Sequence, residues 1–145
     1  MSSKLFRTAL FFLFTLSLLL AAACSPSPSP ITSPLGKTVS LAPGRSVSLD
    51  GETLDIKFVE VINDSRCASG VTCIWQGEVS SRLEITYQGT VYTKVVTQPG
   101  LTSEPSSTEF NGYLFSFDVQ PYPTAGTPIK DNEYRLQLTV DKKSP

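Results

Sequence analysis

Leu54-Asp55-Ile56-Lys57-Phe58-Val59-Glu60-Val61 decides the fold. Leu54, Ile56 and Phe58 share one face of an extended chain, and Asp55 and Lys57 share the other. This period of two marks a half-buried strand. At Phe58-Val59 the pattern skips a beat and resumes on Val59 and Val61. One extra residue switches the buried face, so the skip predicts a bulge. Asp50-Gly51, just upstream, is among the strongest short hairpin signals. Val47 and Leu49 alternate ahead of it, and Val39 and Leu41 start an earlier run that stops at the turn signal Ala42-Pro43-Gly44.

The same period continues downstream. Val79, Ser81, Leu83, Ile85 and Tyr87 form one stripe, Gln88-Gly89 a tight turn, and Val91, Thr93 and Val95 the return strand. Residues 99–109 read as loop. Tyr113, Phe115, Phe117 and Val119 form an apolar stripe, as do Tyr134, Leu136, Leu138 and Val140. Between these two, Pro121-Tyr122-Pro123-Thr124-Ala125-Gly126-Thr127-Pro128 reads as a crossover loop. No stretch after residue 24 holds a helical period. About seven or eight short strands with one buried face each imply an all-β fold, an antiparallel β-sandwich of Ig-like or Greek-key type. A small barrel is the alternative.

The N-terminal segment has a different character. Lys4 and Arg7 precede an apolar run from Ala9 to Ala23, interrupted only by Thr15 and Ser17. That run is shorter than the roughly 20 residues of a membrane-spanning helix. It ends in Leu20-Ala21-Ala22-Ala23-Cys24, small residues before a cysteine. Residues 1–23 are therefore expected to be a lipoprotein signal peptide, with Cys24 exposed by cleavage and carrying diacylglycerol and a fatty acyl chain such as palmitate. An ordinary secretory signal and an uncleaved anchor helix are the alternatives. Residues 24–36 are expected to be the lipidated cysteine and a Ser/Pro-rich linker. In Ser25-Pro26-Ser27-Pro28-Ser29-Pro30 each proline lacks a donor and restricts its predecessor, so an extended spacer follows. Residues 37–145 are then one domain, since roughly 105 residues can enclose one core but not two.

Charge and composition exclude several functions. Without Lys4 and Arg7, ten basic side chains face thirteen acidic ones, a net charge of −3. This argues against nucleic acid and against electrostatic docking on anionic lipid. The chain has no histidine, so the usual general base near neutral pH and the commonest metal ligand are missing. No cofactor and no metal are expected.

The distinctive segment runs from Asp64 to Val79, DSRCASGVTCIWQGEV. Once Cys24 takes lipid, Cys67 and Cys73 remain, and outside the cytoplasm such a pair normally oxidises. A disulfide stapling a loop between two strands is expected, with Gly70 letting the chain fold back. A redox dithiol would want a shorter spacing at a helix start, and zinc would want further sulfur or imidazole ligands. Trp75 is expected to pack against the disulfide as a core plug; the alternative is an exposed aromatic that anchors a partner. Arg66 is expected to pair with Asp64 or Glu78 and order the loop, and Gly77 to serve a bulge or a close backbone approach.

Asp64-Ser65-Arg66-Cys67 followed by Cys73-Ile74-Trp75-Gln76-Gly77 resembles a pattern of uncharacterised bacterial secreted proteins and lipoproteins, D-S-R-C-P, a few residues, then C-x-W-x-G. Ala68 stands where that pattern has proline. Tyr113 with its stripe, Pro121-Tyr122-Pro123, Ile129 and Tyr134 are similar too. The resemblance implies the disulfide and the strand order, and no activity.

The expectation is a non-catalytic interaction or structural module of the cell envelope. It would be monomeric, held to a membrane by lipid on Cys24 and meeting an envelope protein partner. Ser25 in place of aspartate after Cys24 points to the outer membrane in a Gram-negative cell. Binding is expected on loops 62–76, 99–109 and 120–131, with Trp75, Tyr122 and Arg66 as candidate partner-binding residues. The runner-up is a small inhibitor of a lysozyme or protease. A third reading is a hydrolase working through two of Glu60, Asp64, Glu78 and Asp118, which would have to converge in a cleft.

Overall fold

The computed structural model describes residues 29–102 and 104–143; the signal segment, Cys24 and the first Ser-Pro repeats lie outside the described residues. Nine strands among the described residues form two sheets. The first contains β1 (Ile31–Ser33), β3 (Ser46–Leu49), β4 (Leu54–Asp64), β5 (Glu78–Tyr87) and β6 (Thr90–Pro99), in the order β1-β3-β4-β5-β6. The second contains β2 (Val39–Leu41), β7 (Ser106–Phe110), β8 (Tyr113–Gln120) and β9 (Arg135–Lys142), in the order β2-β9-β8-β7. The expected all-β sandwich is the architecture found.

Alternation explains the packing. Leu54, Ile56 and Phe58 of β4, Val79, Leu83 and Ile85 of β5, Phe115, Phe117 and Val119 of β8, and Leu136 and Leu138 of β9 are all essentially inaccessible to solvent. Their side chains meet between the sheets as one cluster. Burying each contributes about 1.5–3 kcal/mol relative to leaving it in water. The β4–β5 register shifts between Phe58 and Glu60, where the skipped beat predicts it, and again between Val61 and Asn63. Both shifts lie in the half of β4 that leads to the cysteine loop.

Nine strands are found among the described residues where seven or eight were expected, and two of them, β1 and β7, fall in stretches read as linker and loop. β1 falls within the stretch read as linker, ahead of the boundary at residue 37. Prolines stop at Pro30 and resume at Pro34, so three residues keep their donors. They pair in parallel with β3, Ile31 beside Val47 and Ser33 beside Leu49. This pairing is the exception to an otherwise antiparallel arrangement of strands. β7 falls within residues 99–109 and their neighbour Phe110. As an edge strand reading Ser-Ser-Thr-Glu-Phe it buries little, so it lacks an apolar stripe. Its hairpin with β8 turns on Asn111-Gly112, with φ of 45° and 81°, the left-handed pair of a type I′ turn.

One end of the sandwich carries the tight turns at Asp50-Gly51, Gln88-Gly89 and Asn111-Gly112. The other carries the long loops after β4, β6 and β8, and these form a rim.

Candidate functional site: the loop rim

β4 and β5 continue as a ladder into the cysteine loop. Ser65 N donates to Glu78 O at 2.8 Å and Cys67 N to Gln76 O at 2.9 Å. Cys67 and Cys73 are joined, with S–S 2.06 Å and Cα–Cα 5.9 Å, so the expected disulfide is present. Gly77 has φ +67°, and a Cβ there would fall inside the shell of the Ser65 carbonyl. The close approach expected at Gly77 is found. Gly100 N donates to Gly77 O at 2.8 Å, which brings the loop after β6 against the same backbone.

Arg66 is the centre of the rim. It is only 5% exposed. Its Nε and Nη2 donate to Asp64 Oδ1 and Oδ2 at 2.9 and 2.7 Å, a bidentate pair. Nη1 donates to Val119 O at 2.7 Å and Nη2 also to Pro121 O at 3.0 Å. Of the two acids offered by the sequence, Asp64 takes the pair. Asp64 Oδ2 also accepts from the Tyr134 hydroxyl at 3.2 Å. Burial, and after it the Asp64 charge, pushes the Tyr134 phenol up to about 12. The Arg66 guanidinium therefore braces the rim from inside and, of the candidate partner-binding residues, offers the least surface.

Tyr122 lies half-buried beneath that guanidinium, 5.0 Å from ring centroid to Cζ. Its hydroxyl donates to Cys67 O at 2.9 Å and accepts from Leu101 N at 3.1 Å. One phenol thus fastens three loops. Ser69 N donates to Pro123 O and Ala125 N to Ser69 O, at 2.9 and 3.1 Å. Gln98 joins the two sheets just below: its Oε1 accepts from Val119 N at 2.8 Å and its Nε2 donates to Asp118 Oδ1 at 2.5 Å.

Trp75 is not a core plug. It is 64% exposed. Residues two apart share a face only inside a strand, and β5 does not begin until Glu78, so the spacing from Cys73 does not fix the direction of the indole. Trp75 has company that the sequence reading missed: Val71 and Leu101 are exposed and Ile74 is fully exposed. Of the three residues expected to meet a partner, Trp75 alone presents most of its surface.

No match to this chain is found among protein-family models, curated proteins or solved structures.

Three of the four acids of the hydrolase reading have separate partners. Glu60 pairs with Arg82 at 2.6 Å, Asp64 with Arg66, and Asp118 with Gln98 and, through Oδ2, with Gln120. A hollow of about 140 Å³ is lined by Glu60 with Pro43, Val61 and Asp131. Another of about 200 Å³, on the outer face of the five-stranded sheet, is lined by Pro30, Ser46, Ser48, Asp55, Lys57, Glu84 and Thr86. Neither joins two of the four acids.

Proposed function

We propose that the mature chain is a lipid-anchored module of the bacterial envelope that acts by binding through its loop rim, without a reaction of its own. One observation carries this reading. Within Asp64–Gly77 the aspartate, arginine, both cysteines and Gly77 are engaged in holding the loop, while Trp75 and Ile74 are exposed. A rigid scaffold presenting unpaired apolar side chains is the usual form of a binding surface. The anchor at Cys24 is supported by the small residues ending the apolar run, by the Ser-Pro spacer, and by the likeness to secreted lipoproteins.

A photo-crosslinking residue placed at Ile74 of the full-length protein tests it in intact cells. Adducts are expected at Ile74 and absent at Gln88, on the far end of the sandwich. Equal labelling at both positions, or none at either, would overturn the reading. The protruding locked loop also suits insertion into an enzyme cleft, so inhibition of an envelope lysozyme or protease is the second reading. It requires that the purified protein slow such an enzyme, and that Ile74→Ser relieve the effect.

A further inference from the structure

The point where the chain enters the domain limits how the domain can sit on its membrane. β1 runs parallel to β3, with Ile31 beside Val47 and Ser33 beside Leu49. Ser29 and Pro30 therefore lead into β1 from the rim side and not from the turns. Ser29 O accepts from Arg45 Nη2 at 3.3 Å, and Arg45 O accepts from Phe58 N at 3.0 Å. From Phe58, β4 climbs to Asp64 at the rim; its two register shifts set this stretch against only Leu83 to Val79 of β5, a rise of about 13 Å at the usual strand spacing. Cys24 precedes Ser29 by five positions, and such a segment spans at most about 18 Å when fully extended. The lipid on Cys24 must enter the bilayer, so the membrane surface passes within that reach of Ser29, and the rim, on whose side Ser29 enters β1, lies within it.

The surfaces near that point differ in charge. The outer face of the five-stranded sheet carries Lys57 beside Glu84 and Glu60 beside Arg82. The rim loops carry exposed charges at Glu104, Lys130, Asp131 and Glu133, while their stretches 67–77, 100–103 and 121–129 contain no charged side chain. Their exposed apolar residues are Val71, Ile74, Trp75 and Leu101. Indole is suited to the boundary between water and acyl chains, with an apolar body and a polar N–H. Burying an uncharged loop there requires no desolvation of an ion.

From this entry geometry and this charge pattern we infer that the rim docks into the interfacial layer of the same bilayer that holds Cys24. This rests on the lipid-anchor reading. The domain then stands rim-down with two attachments, the lipid and the apolar loops. A short tether makes the second contact intramolecular, with an effective concentration on the order of millimolar, so a weak contact suffices. Because the rim has no cationic patch, docking is expected on zwitterionic lipid and to be insensitive to salt.

Trp75 is the single tryptophan of the chain and serves as its own probe. Full-length mature protein is reconstituted into phosphatidylcholine vesicles, with and without bromine on the acyl chains near the headgroup. Expected are a blue-shifted emission, quenching by the brominated lipid, and a several-fold loss of access to aqueous iodide. The combined variant Val71→Ser, Ile74→Ser, Leu101→Ser keeps Trp75 and should regain iodide access; circular dichroism checks that it is folded. Protein that floats with the vesicles while Trp75 stays open to iodide and unquenched by bromine overturns the docking and leaves the anchor standing. Shielding from iodide without bromine quenching overturns it in favour of a second protein molecule on the rim. Failure to float, with no lipid on Cys24, defeats the anchor and the docking together.

Discussion

The Arg66 guanidinium lies 5.0 Å over the Tyr122 ring, and between them these two side chains hold the rim. The arginine reaches down to two β8-end carbonyls, and the tyrosine reaches across to the cysteine loop and to Leu101. Arg66→Leu would leave Asp64 buried without its counter-ion and two carbonyls without a donor. Losing one partner of a buried pair costs about 3–5 kcal/mol. Arg66→Lys should rescue little, because an ammonium cannot reproduce the fork. Urea unfolding of the three proteins checks both statements.

Gly77→Ala should be more destabilising than Gly44→Ala. Both positions have positive φ, but a Cβ at Gly44 meets open space while one at Gly77 meets the Ser65 carbonyl and the Arg66 backbone. The conformational strain alone is on the order of 1–3 kcal/mol. The steric term at Gly77 adds to it, so the difference between the two unfolding midpoints is the quantity to measure.

Trp75→Ala should leave stability within about 0.5 kcal/mol of the parent, as a surface change does. Phe115→Ala, in the centre of the core, should cost about 3–5 kcal/mol. Thermal unfolding of this pair separates a rim tryptophan from a core one.

Alkali should weaken the fold before it attacks the strands generally. The Tyr113 phenol is pushed up to about 12, first by its hydrogen bond to Glu52 and then by burial, and Tyr134 is pushed up to about 12 by burial and Asp64. In the unfolded chain both titrate near about 10. With folded values above unfolded ones, the stabilisation is fully present below about pH 10 and is lost as pH rises through about 12. The denaturation midpoint should fall across that window, and Tyr134→Phe should flatten the fall.

The sequence already carried most of the fold where burial is one-sided. β5, β8 and β9 are long and alternate throughout, and β4 alternates as far as Phe58, so each announces its inner face. The bulge after Phe58 is visible as one missed beat. β7 lies at an edge with polar residues on both faces, and its only signal was Asn111-Gly112. β1 was hidden because the Ser-Pro repeat ahead of it dominates the local pattern. At the rim, the disulfide and the close approach at Gly77 follow from composition and local conformation. The carbonyl partners of Arg66 do not, since Val119 lies in a strand of the other sheet and Pro121 just after it. Nor could spacing orient Trp75, because the chain from Cys73 to Gly77 follows no fixed period.

The mass of the intact mature protein, isolated from the membrane fraction of its own cells, tests the tethered-module account most directly. The account predicts a chain starting at Cys24 with a diacylglyceryl group and a further acyl chain on that residue, and Cys67 and Cys73 two protons short of free thiols. A mature chain that starts elsewhere, or a Cys24 with no lipid, would contradict it.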